Sequence, residues 1–384
     1  MSTRTFDVAI IGAGIMGSAL ALDCASRGRS VVLLDRVGIC AGSSARSAGG
    51  VRHQFGQEVN IELARRTIAR LEHFTEEFGV DCGFRQVGYM FLVSDPRTKE
   101  VFSRAVALQR SLGIPSAFIS PSEVADLVPG IRTDDLLGAS FCPQDGFLDP
   151  ATVTAGYVAA ARRLGAVVLP TTGVTGLVVE AGRISEVHTT DGGRFGAAVV
   201  VNAAGAWAPT IARLYGASLP ITPWRSQVFT VHDTPDLGPR LPMVIDFDGG
   251  KAYFHPEGPG LLVGMDNESA AEASWDPVCD WSKFIDIAVK LSDRVPSLET
   301  ARAVSGWAGF LEITPDEDPI VGWTHLDNLY TAAGFSGHGI SIAPGLAPEV
   351  AREIDGLDPT LDLSRYRLER FDGGDHDPEP FAMR

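Results

Sequence analysis

Two short apolar runs, separated by a glycine-rich turn and a helical stretch, open the chain. The runs at 8–11 and 31–34 are apolar at every position, which is typical of buried parallel strands. Between them a helical pattern extends to residue 27, and Gly28 stands where a helix commonly ends. The pattern therefore predicts a strand–helix–strand unit at the start of an α/β fold.

The turn after the first strand carries glycines in the G-x-G-x-x-G spacing. Gly12 permits the tight turn, Gly14 lets the backbone approach a pyrophosphate, and Gly17 lets the helix pack closely on the strand. The N–H groups at the start of the helix attract phosphate. Asp35, which ends the second strand, can accept hydrogen bonds from a ribose. These features predict a bound dinucleotide, and they do not choose between NAD and FAD.

Helical and extended patterns alternate through the next part of the chain. Helical spacing marks 57–78, a strand is predicted at 87–93, and further helices are expected after Pro96 and from Pro150. A second buried run at 199–202 is followed directly by small residues, as is needed where a backbone passes over a cofactor.

From about residue 221 to 309 the pattern changes to strands that alternate or carry aromatic residues. This is typical of an antiparallel sheet and predicts a second domain inserted into the first. From about Asp372 the chain is polar, and we expect a loose tail. The predicted fold class is α/β, a Rossmann-like domain with an inserted α+β domain on a mostly antiparallel sheet. The predicted division gives 1–85, 145–220 and 315–384 to the dinucleotide domain and 86–144 and 221–314 to the substrate domain.

Composition and charge narrow the functional classes. The chain of 384 residues is 45% hydrophobic and 21% charged, as soluble globular proteins are. A net charge of −16 argues against a nucleic-acid partner. The five cysteines are scattered without metal-ligand spacing, which indicates reduced thiols in a cytoplasmic protein and no metal site. We expect no signal peptide, because the first strand starts by about Phe6, and no membrane span, because no apolar run approaches ~20 residues.

Five stretches occur in an order that resembles a known family, namely G-A-G-I-M-G, R-S-A-G-G-V-R-H-Q-F, V-N-A-A-G-A-W, G-F-L-E-I-T-P-D-E-D-P-I-V-G and G-F-S-G-H-G-I. Nearly the whole chain is similar to the D-amino-acid-oxidase-type FAD-dependent oxidoreductases. The branch it resembles holds sarcosine oxidase, dimethylglycine dehydrogenase and the beta subunit of L-proline dehydrogenase. The resemblance implies FAD rather than NAD, and an active site between the FAD domain and the substrate domain. The FAD contacts it implies by position are Gly12, Gly14, Gly17, Asp35, Arg36, Ser43, Ser44, Arg46, Ser47, Val174, Ala204, Gly205, Gly334, Gly337, His338, Gly339 and Ile340.

The chain departs from these relatives at positions that matter. Some relatives attach FAD through a histidine or a cysteine, and the matching positions are Arg46 and Gly309, so we expect noncovalent FAD. Leu148 stands where two-subunit sarcosine oxidases attach FMN, and we expect no FMN. The oxygen-activating lysine of monomeric sarcosine oxidase would fall near Leu262, which favours another electron acceptor without excluding oxygen. Ser341 replaces a lysine that helps to bind the substrate carboxylate, which argues against sarcosine itself.

The resemblance implies oxidation of a C–N bond by hydride transfer to flavin N5. Arg52 is the candidate anchor for a substrate carboxylate, because an arginine can bind it through two hydrogen bonds. Tyr253 and His255 alternate with Phe254, so we expect them to share one face of the substrate-domain sheet. His338 precedes a helix whose N-terminus would stabilise negative charge on the reduced flavin. These four residues, Arg52, Tyr253, His255 and His338, are the candidate catalytic residues.

The leading hypothesis is therefore an FAD enzyme that oxidises a secondary or tertiary amine or amino acid, such as an N-methylated amino acid or proline. One alternative is oxidation of a 2-hydroxy acid on the same scaffold. Another is a flavoprotein subunit or assembly factor with little turnover of its own, and NAD-dependent dehydrogenation is a third. The partner is a small amine or amino acid, and a homo-oligomer and a partner subunit both remain open.

Overall fold

The computed structural model describes residues 3–265, 268–373 and 378–382, which form two large sheets with helices on their outer faces. The helices are α1 (Ile15–Ser26), α2 (Glu58–Glu72), α3 (Phe74–Phe78), α4 (Pro96–Ser111), α5 (Pro121–Leu127), α6 (Pro150–Arg163), α7 (Ala208–Arg213), α8 (Ser282–Arg294) and α9 (Gly339–Ile354). The strands are β1 (Arg4–Ile11), β2 (Val31–Leu34), β3 (Gly50–Val51), β4 (Tyr89–Val93), β5 (Ala117–Ile119), β6 (Gly138–Cys142), β7 (Gly146–Phe147), β8 (Val167–Leu169), β9 (Val174–Glu180), β10 (Arg183–Thr189), β11 (Arg194–Asn202), β12 (Thr222–His232), β13 (Met243–Asp246), β14 (Ala252–Glu257), β15 (Gly260–Gly264), β16 (Glu268–Ser269), β17 (Arg302–Ile313), β18 (Ile320–Trp323) and β19 (Leu329–Ala333).

The first sheet has eight strands and contains the predicted strand–helix–strand unit. Its order is β18-β19-β11-β1-β2-β8, with β10 paired to β11 and β9 paired to β10. β1 is parallel to both β2 and β11. Ile10 and Leu33 pack towards α1, α6 and α9 on one face, while Ala9 and Val32 pack on the opposite face. Both faces are therefore buried, which explains why these strands are apolar at every position.

The second sheet has nine strands and lies beside the first. Its order is β16-β12-β15-β14-β13-β4-β6-β5, with β17 paired to β12. The strand pairs are antiparallel except for β4 and β13, which run parallel. Phe254 and Leu291 belong to the core under α8, and Tyr253 and Phe147 belong to the core on the opposite face, towards the first sheet. The prediction of an α/β fold with a mostly antiparallel second sheet is confirmed.

Three local predictions need correction. The helix expected over 57–78 breaks at His73, because α3 turns to pack Phe74 against Phe78 at 4.4 Å between ring centroids. The strand expected at 87–93 begins at Tyr89, because Gly88 takes a left-handed φ of 101°. The tail expected to be loose is tightly packed at 378–382. Among the described residues, the helices are too short or too polar to cross a bilayer.

Within the tail, Glu379, Phe381 and Ala382 are buried, whereas Pro378 is exposed. Phe381 is fully buried, and its ring stacks on Phe102 at 4.1 Å and meets Phe91 at 5.1 Å. Glu379 is also buried and accepts hydrogen bonds from the backbone N–H of Gly56 and the side chain of Asn60. The prediction of a loose tail followed from the polar residues before this segment, and it overlooked Phe381, whose buried ring holds the segment in place.

Candidate functional site

The glycine-rich turn between β1 and α1 leaves no room for side chains. A Cβ on Gly12 would lie 2.4 Å from the carbonyl oxygen of Ala203, and one on Gly17 would lie 1.9 Å from the carbonyl oxygen of Gly12. Gly12 also has a left-handed φ of 109°. The hydroxyl of Ser44 accepts a hydrogen bond from the backbone N–H of Ile15 at 3.0 Å, close to Gly14. The turn therefore has the close backbone packing that a pyrophosphate site requires.

A cavity starts at this turn and follows the carboxyl ends of β1, β2 and β11, where ligands bind in open α/β sheets. Nine of the residues predicted to contact the dinucleotide line it: Gly12, Gly14, Asp35, Arg36, Ser43, Ser44, Val174, Ala204 and Gly205. The other eight predicted contacts lie outside this lining. Of these, Gly17 lies beneath the turn, and the rest belong to the loop after Ser44 and to the start of α9. Which of them touch the cofactor stays a prediction.

Asp35, predicted to bind the ribose, also accepts hydrogen bonds from three backbone N–H groups. Its carboxylate accepts hydrogen bonds from the N–H groups of Ala13 at 2.8 Å and of Val37 and Gly38, both at 2.9 Å. A carboxylate has about four acceptor positions. Asp35 therefore fixes the turn and the following loop, and retains about one acceptor position for a ribose hydroxyl.

Sequence reasoning missed an acidic residue in this cavity. Glu312 on β17 accepts a hydrogen bond from the N–H of Phe335 at 3.2 Å through Oε1, while Oε2 has no partner among the described residues. Burial raises the pKa of Glu312 to about 7. The hydroxyl of Ser43, also in the lining, is likewise without a partner there. Two unsatisfied oxygens in a mostly apolar cavity fit a cofactor with hydroxyl and phosphate groups. The signal available in the sequence was one glutamate in the apolar run G-F-L-E-I.

Two tryptophans from different sheets also line the cavity and were not predicted. Trp207 follows β11, and Trp275 lies between β16 and α8. Their rings stack with centroids 4.4 Å apart. The pair lies at the mouth of the cavity, because 39% of the Trp275 surface is exposed.

The loop after Ser44 lies against β17. The guanidinium of Arg46 donates a hydrogen bond to the carbonyl of Ala308 at 2.9 Å, and the indole of Trp307 donates to the carbonyl of Arg46 at 3.2 Å. A Cβ on Gly309 would lie 2.8 Å from the Cβ of Arg46. The two positions at which relatives attach FAD are therefore neighbours in space. Neither position here carries a group that forms such a bond, and noncovalent FAD stays the expectation. Ser47 closes the turn by donating to the carbonyl of Ser44 at 3.1 Å.

Arg52 is buried between the two sheets and forms no direct ion pair among the described residues, although Glu379 and Asp145 lie near enough to favour its charge. Its guanidinium donates to the carbonyls of Gln54 and Phe381, the latter at 3.0 Å, and lies 4.2 Å from the ring centroid of Phe55. Within the described chain no carboxylate lies within 4 Å of it, and only 4% of its surface is exposed. Burial lowers its pKa from the ordinary value, but an arginine stays charged. The site is thus a buried positive charge with spare donors.

His338 and the start of α9 are next to Arg52. The hydroxyl of Ser341 accepts a hydrogen bond from the N–H of Arg52 at 3.3 Å. His338 is buried against the edge of the Phe55 ring at 5.3 Å, and its Nε2 has no partner among the described residues. Burial, followed by the charge of Arg52, lowers the pKa of His338 well below its ordinary value, so the imidazole is neutral. Gly334 and Gly337 take left-handed φ values of 81° and 85°, which bring the chain into α9.

The first turn of α9 has no acidic residue, so its N-terminal partial positive charge is uncompensated there. Gly339 packs against Phe335 and Ile15, and Ile340 is buried. The helix end is therefore fixed in place and can favour negative charge on a group beside it.

Tyr253 and His255 lie on one face of β14, towards the first sheet, as their alternation predicts. The imidazole of His255 stacks on Phe147 at 4.4 Å, and its two nitrogens lie 2.8 and 2.9 Å from the carbonyl oxygens of Pro256 and Ala48. Two carbonyl partners would favour the protonated ring, yet burial lowers the pKa of His255 to about 4. We expect burial to dominate, so one nitrogen carries a proton at neutral pH. His255 thus fastens the loop at Ala48 to the second sheet.

His53, Cys142 and Asp145 form a buried group of three residue types that can bind metals. Hydrogen bonds explain their arrangement. Asp145 accepts from the N–H of His53 at 2.8 Å, contacts its Nδ1 at 2.7 Å, and accepts from the side chain of Gln54 at 3.1 Å. Burial raises the pKa of the Cys142 thiol, which disfavours the thiolate that a metal needs. The group links the loop that carries Arg52 to the second sheet.

Comparisons with known proteins agree with this site. The model of the family described as FAD dependent oxidoreductase matches residues 7–353. The chain is 29% identical to mitochondrial sarcosine dehydrogenase of Mus musculus over 96% of this chain and 41% of that protein, so it spans about two fifths of that relative. It is 26% identical to glycine oxidase of Geobacillus kaustophilus over 97% of this chain and 98% of that protein.

A solved structure supports the same relationship. The structure of L-proline dehydrogenase from P. horikoshii matches with a TM-score of 0.90 and 31% identity, covering 98% of this chain and 100% of that one. The family inferred from the five motifs is confirmed, and so is FAD rather than NAD as the cofactor. The family match covers most of the chain and the fold agrees along nearly all of it, and on these grounds the protein belongs to the FAD dependent oxidoreductase family.

Proposed function

We propose that this FAD-dependent enzyme oxidises the C–N bond of a small amino acid, with a secondary or tertiary amine such as an N-methylated amino acid or proline as substrate. The observation that carries the proposal is the buried guanidinium of Arg52. It has carbonyl and aromatic neighbours but no carboxylate within 4 Å in the described chain. The relatives described above, sarcosine dehydrogenase, glycine oxidase and L-proline dehydrogenase, support the same substrate class.

A buried cation without a direct ion pair is costly, because its hydration is lost and the charges of Glu379 and Asp145 act on it only from a distance. A substrate carboxylate would supply that ion pair through two charge-assisted hydrogen bonds. Arg52 can bind it with the N–H groups that its carbonyl contacts leave open, together with the donor that now contacts the carbonyl of Phe381. Arg52 therefore selects for an acid group and fixes one end of the substrate.

When bound, FAD would supply the acceptor for a hydride from the carbon next to the substrate nitrogen. Hydride loss from the neutral amine would leave an iminium ion, which water would hydrolyse. The residues around Arg52 prepare the substrate for this step. Phe55, Phe91 and Phe381 surround the guanidinium and exclude water, and both this dry environment and the nearby cation lower the pKa of the substrate amine. The amine then binds in its neutral form, so no dedicated base is required. The N-terminus of α9 stabilises negative charge on the reduced cofactor.

The electron acceptor is proposed to be something other than oxygen. Leu262 stands at the position of the oxygen-activating lysine of some relatives, and it is buried in the apolar cluster with Tyr89 and Phe91. An apolar side chain there supplies no positive charge for reduced oxygen.

Anaerobic bleaching of the flavin tests the proposal. The panel contains sarcosine, proline and glycine, their decarboxylated counterparts, and 2-hydroxy acids. We expect amino acids with a secondary amine to bleach the flavin at least tenfold faster than compounds that lack the carboxylate. R52K, which cannot form the two-pronged contact, should raise the half-saturating concentration of the amino acid but not that of the decarboxylated compound. R104K, at an exposed arginine on α4, is the control.

Two outcomes would overturn the proposal. Bleaching by hydroxy acids alone would favour the alternative chemistry, and no bleaching by any compound together with a co-purifying protein would favour a flavoprotein subunit. If R52K and R104K behave alike, Arg52 does not bind the carboxylate. Admitting oxygen after bleaching tests the acceptor, and we expect the flavin colour to return slowly.

A further inference from the structure

The mouth of the cofactor cavity is closed by a segment from the other sheet. Residues 270–281 connect β16 to α8, and within them Trp275 lies on Trp207 with ring centroids 4.4 Å apart and planes at 9°. Trp207 follows β11 in the first sheet. The two rings therefore join the substrate domain to the FAD domain directly over the cavity that both of them line.

Further contacts hold this segment in place. The indole N–H of Trp207 donates to the carbonyl of Ala273 at 3.1 Å. The guanidinium of Arg36 lies 4.6 Å from the ring centroid of Trp275, which is within the range of a cation–π interaction. Trp207 in turn fits against Gly42, where a Cβ would lie 3.2 Å from the ring. A backbone hydrogen bond, ring stacking and a cation–π contact thus all hold the segment at the Trp207–Trp275 pair.

The position of Arg36 identifies which end of the cofactor this spot faces. Arg36 follows Asp35 at the carboxyl end of β2, and in dinucleotide folds this end binds the adenosine ribose. Arg52, His338 and Gly339 lie outside this lining, which reaches towards α9 only as far as Phe335 and Ile15. Trp207 and Trp275 therefore lie at the adenosine half of the cavity and away from the substrate end.

We propose that segment 270–281 is a lid on the adenosine half of the site, and that Trp275 makes the site select FAD over flavins without an adenosine. The selectivity comes from the part of Trp275 that lines this half of the cavity beside Arg36, since FMN has no adenosine to occupy it. This inference rests on FAD as the cofactor and is independent of the substrate.

Flavin binding to the flavin-free protein tests the lid. The protein is produced under riboflavin limitation and titrated with FAD and with FMN, and binding is followed by flavin fluorescence. A tenfold loss of affinity corresponds to about 1.4 kcal/mol of lost contact. We expect W275A to weaken FAD binding about tenfold and to leave FMN binding within about twofold. W207F, which keeps a ring but loses the bond to Ala273, should give a smaller loss.

W323A is the matched control, because Trp323 on β18 is 38% exposed, like Trp275 at 39%, but lies outside the cavity. Far-UV circular dichroism checks that each variant is folded. The proposal is overturned if W275A binds FAD as tightly as the parent, if it binds FAD more tightly, or if FAD and FMN binding weaken equally. Should W275A fail to fold, W207F decides the matter by the same comparison of FAD with FMN.

Discussion

The protonation of Glu312 should control the affinity for FAD. Its carboxyl is buried in the cofactor cavity, one oxygen has no partner among the described residues, and burial raises its pKa from 4.5 to about 7. The neutral form can donate a hydrogen bond to an oxygen of the cofactor, whereas the ionised form would be repelled by the diphosphate. Binding therefore favours the protonated form, and above pH 7 the protein must take up a proton to bind FAD.

The magnitude follows from this linkage. Because binding requires one proton, the affinity for FAD should fall about tenfold for each pH unit above pH 7, up to the pKa of Glu312 in the complex. Below pH 6 the carboxyl is already protonated, and the affinity should be nearly constant. The glutamine in E312Q cannot ionise, so the affinity of this variant for FAD should lack this pH dependence. In the flavin-free protein, the raised pKa of Glu312 gives stability that is complete below pH 4.5 and is lost as pH rises through about 7. This shift corresponds to a loss on the order of 3 kcal/mol, which E312Q should restore at pH 8.

Fluorescence titration of flavin-free protein with FAD between pH 6 and 9 measures the effect. E379Q is the control, since burial also raises the pKa of Glu379 to about 7 but this residue lies outside the cavity lining. E379Q should keep the pH dependence of the parent protein. The reasoning is refuted if the parent and E312Q lose FAD affinity in parallel, or if the affinity of the parent rises with pH.

Three further predictions follow from packing and burial. G17A should abolish FAD binding or soluble expression, because its Cβ would lie 1.9 Å from a backbone oxygen, while G176A, with 3.7 Å to its nearest neighbour, should purify like the parent. F381A should lower the free energy of unfolding in urea by about 3–5 kcal/mol, because the ring is fully buried, whereas L357A at an exposed position should change it by less than about 0.5 kcal/mol. H255Q should keep the pH–activity profile of the parent between pH 5 and 9, because the pKa of His255 is lowered to about 4. If the parent shows an inflection near pH 6 to 7 that H255Q lacks, His255 titrates there and the prediction is wrong.

The sequence predicted local units well because their causes are local. The turn at Gly12 and the strand pair around it depend on residues fewer than thirty positions apart, and the spacing alone encodes them. Ser120 and Glu123, three positions apart, likewise form a capping box at the start of α5. Arg52 was singled out from the loop that contains it, although its lack of a direct ion pair among the described residues became visible only in the fold.

The features that were missed depend on contacts between distant segments. Trp275 meets Trp207, which lies 68 positions earlier in the chain, and Phe381 packs on Phe91 and Phe102 from the far end of the chain. A single aromatic residue in a polar segment produces no periodic pattern, so the sequence does not reveal that it is buried. Glu312 could not be predicted for a similar reason, since its unsatisfied oxygen depends on the segments packed around β17 and not on the sequence of the strand.

The parallel pairing of β4 with β13 has a consequence for synthesis on the ribosome. β4 pairs with β6 within about 50 residues, but its other edge has to await β13, which begins about 150 residues after β4 ends. At roughly 5–20 residues per second, that edge is unpaired for about 8 to 30 s. The exposed edge belongs to the apolar strand Tyr89–Val93, a template for pairing with other chains. Yield of the full-length protein should therefore depend on chaperones that bind nascent chains, more than its final stability would suggest.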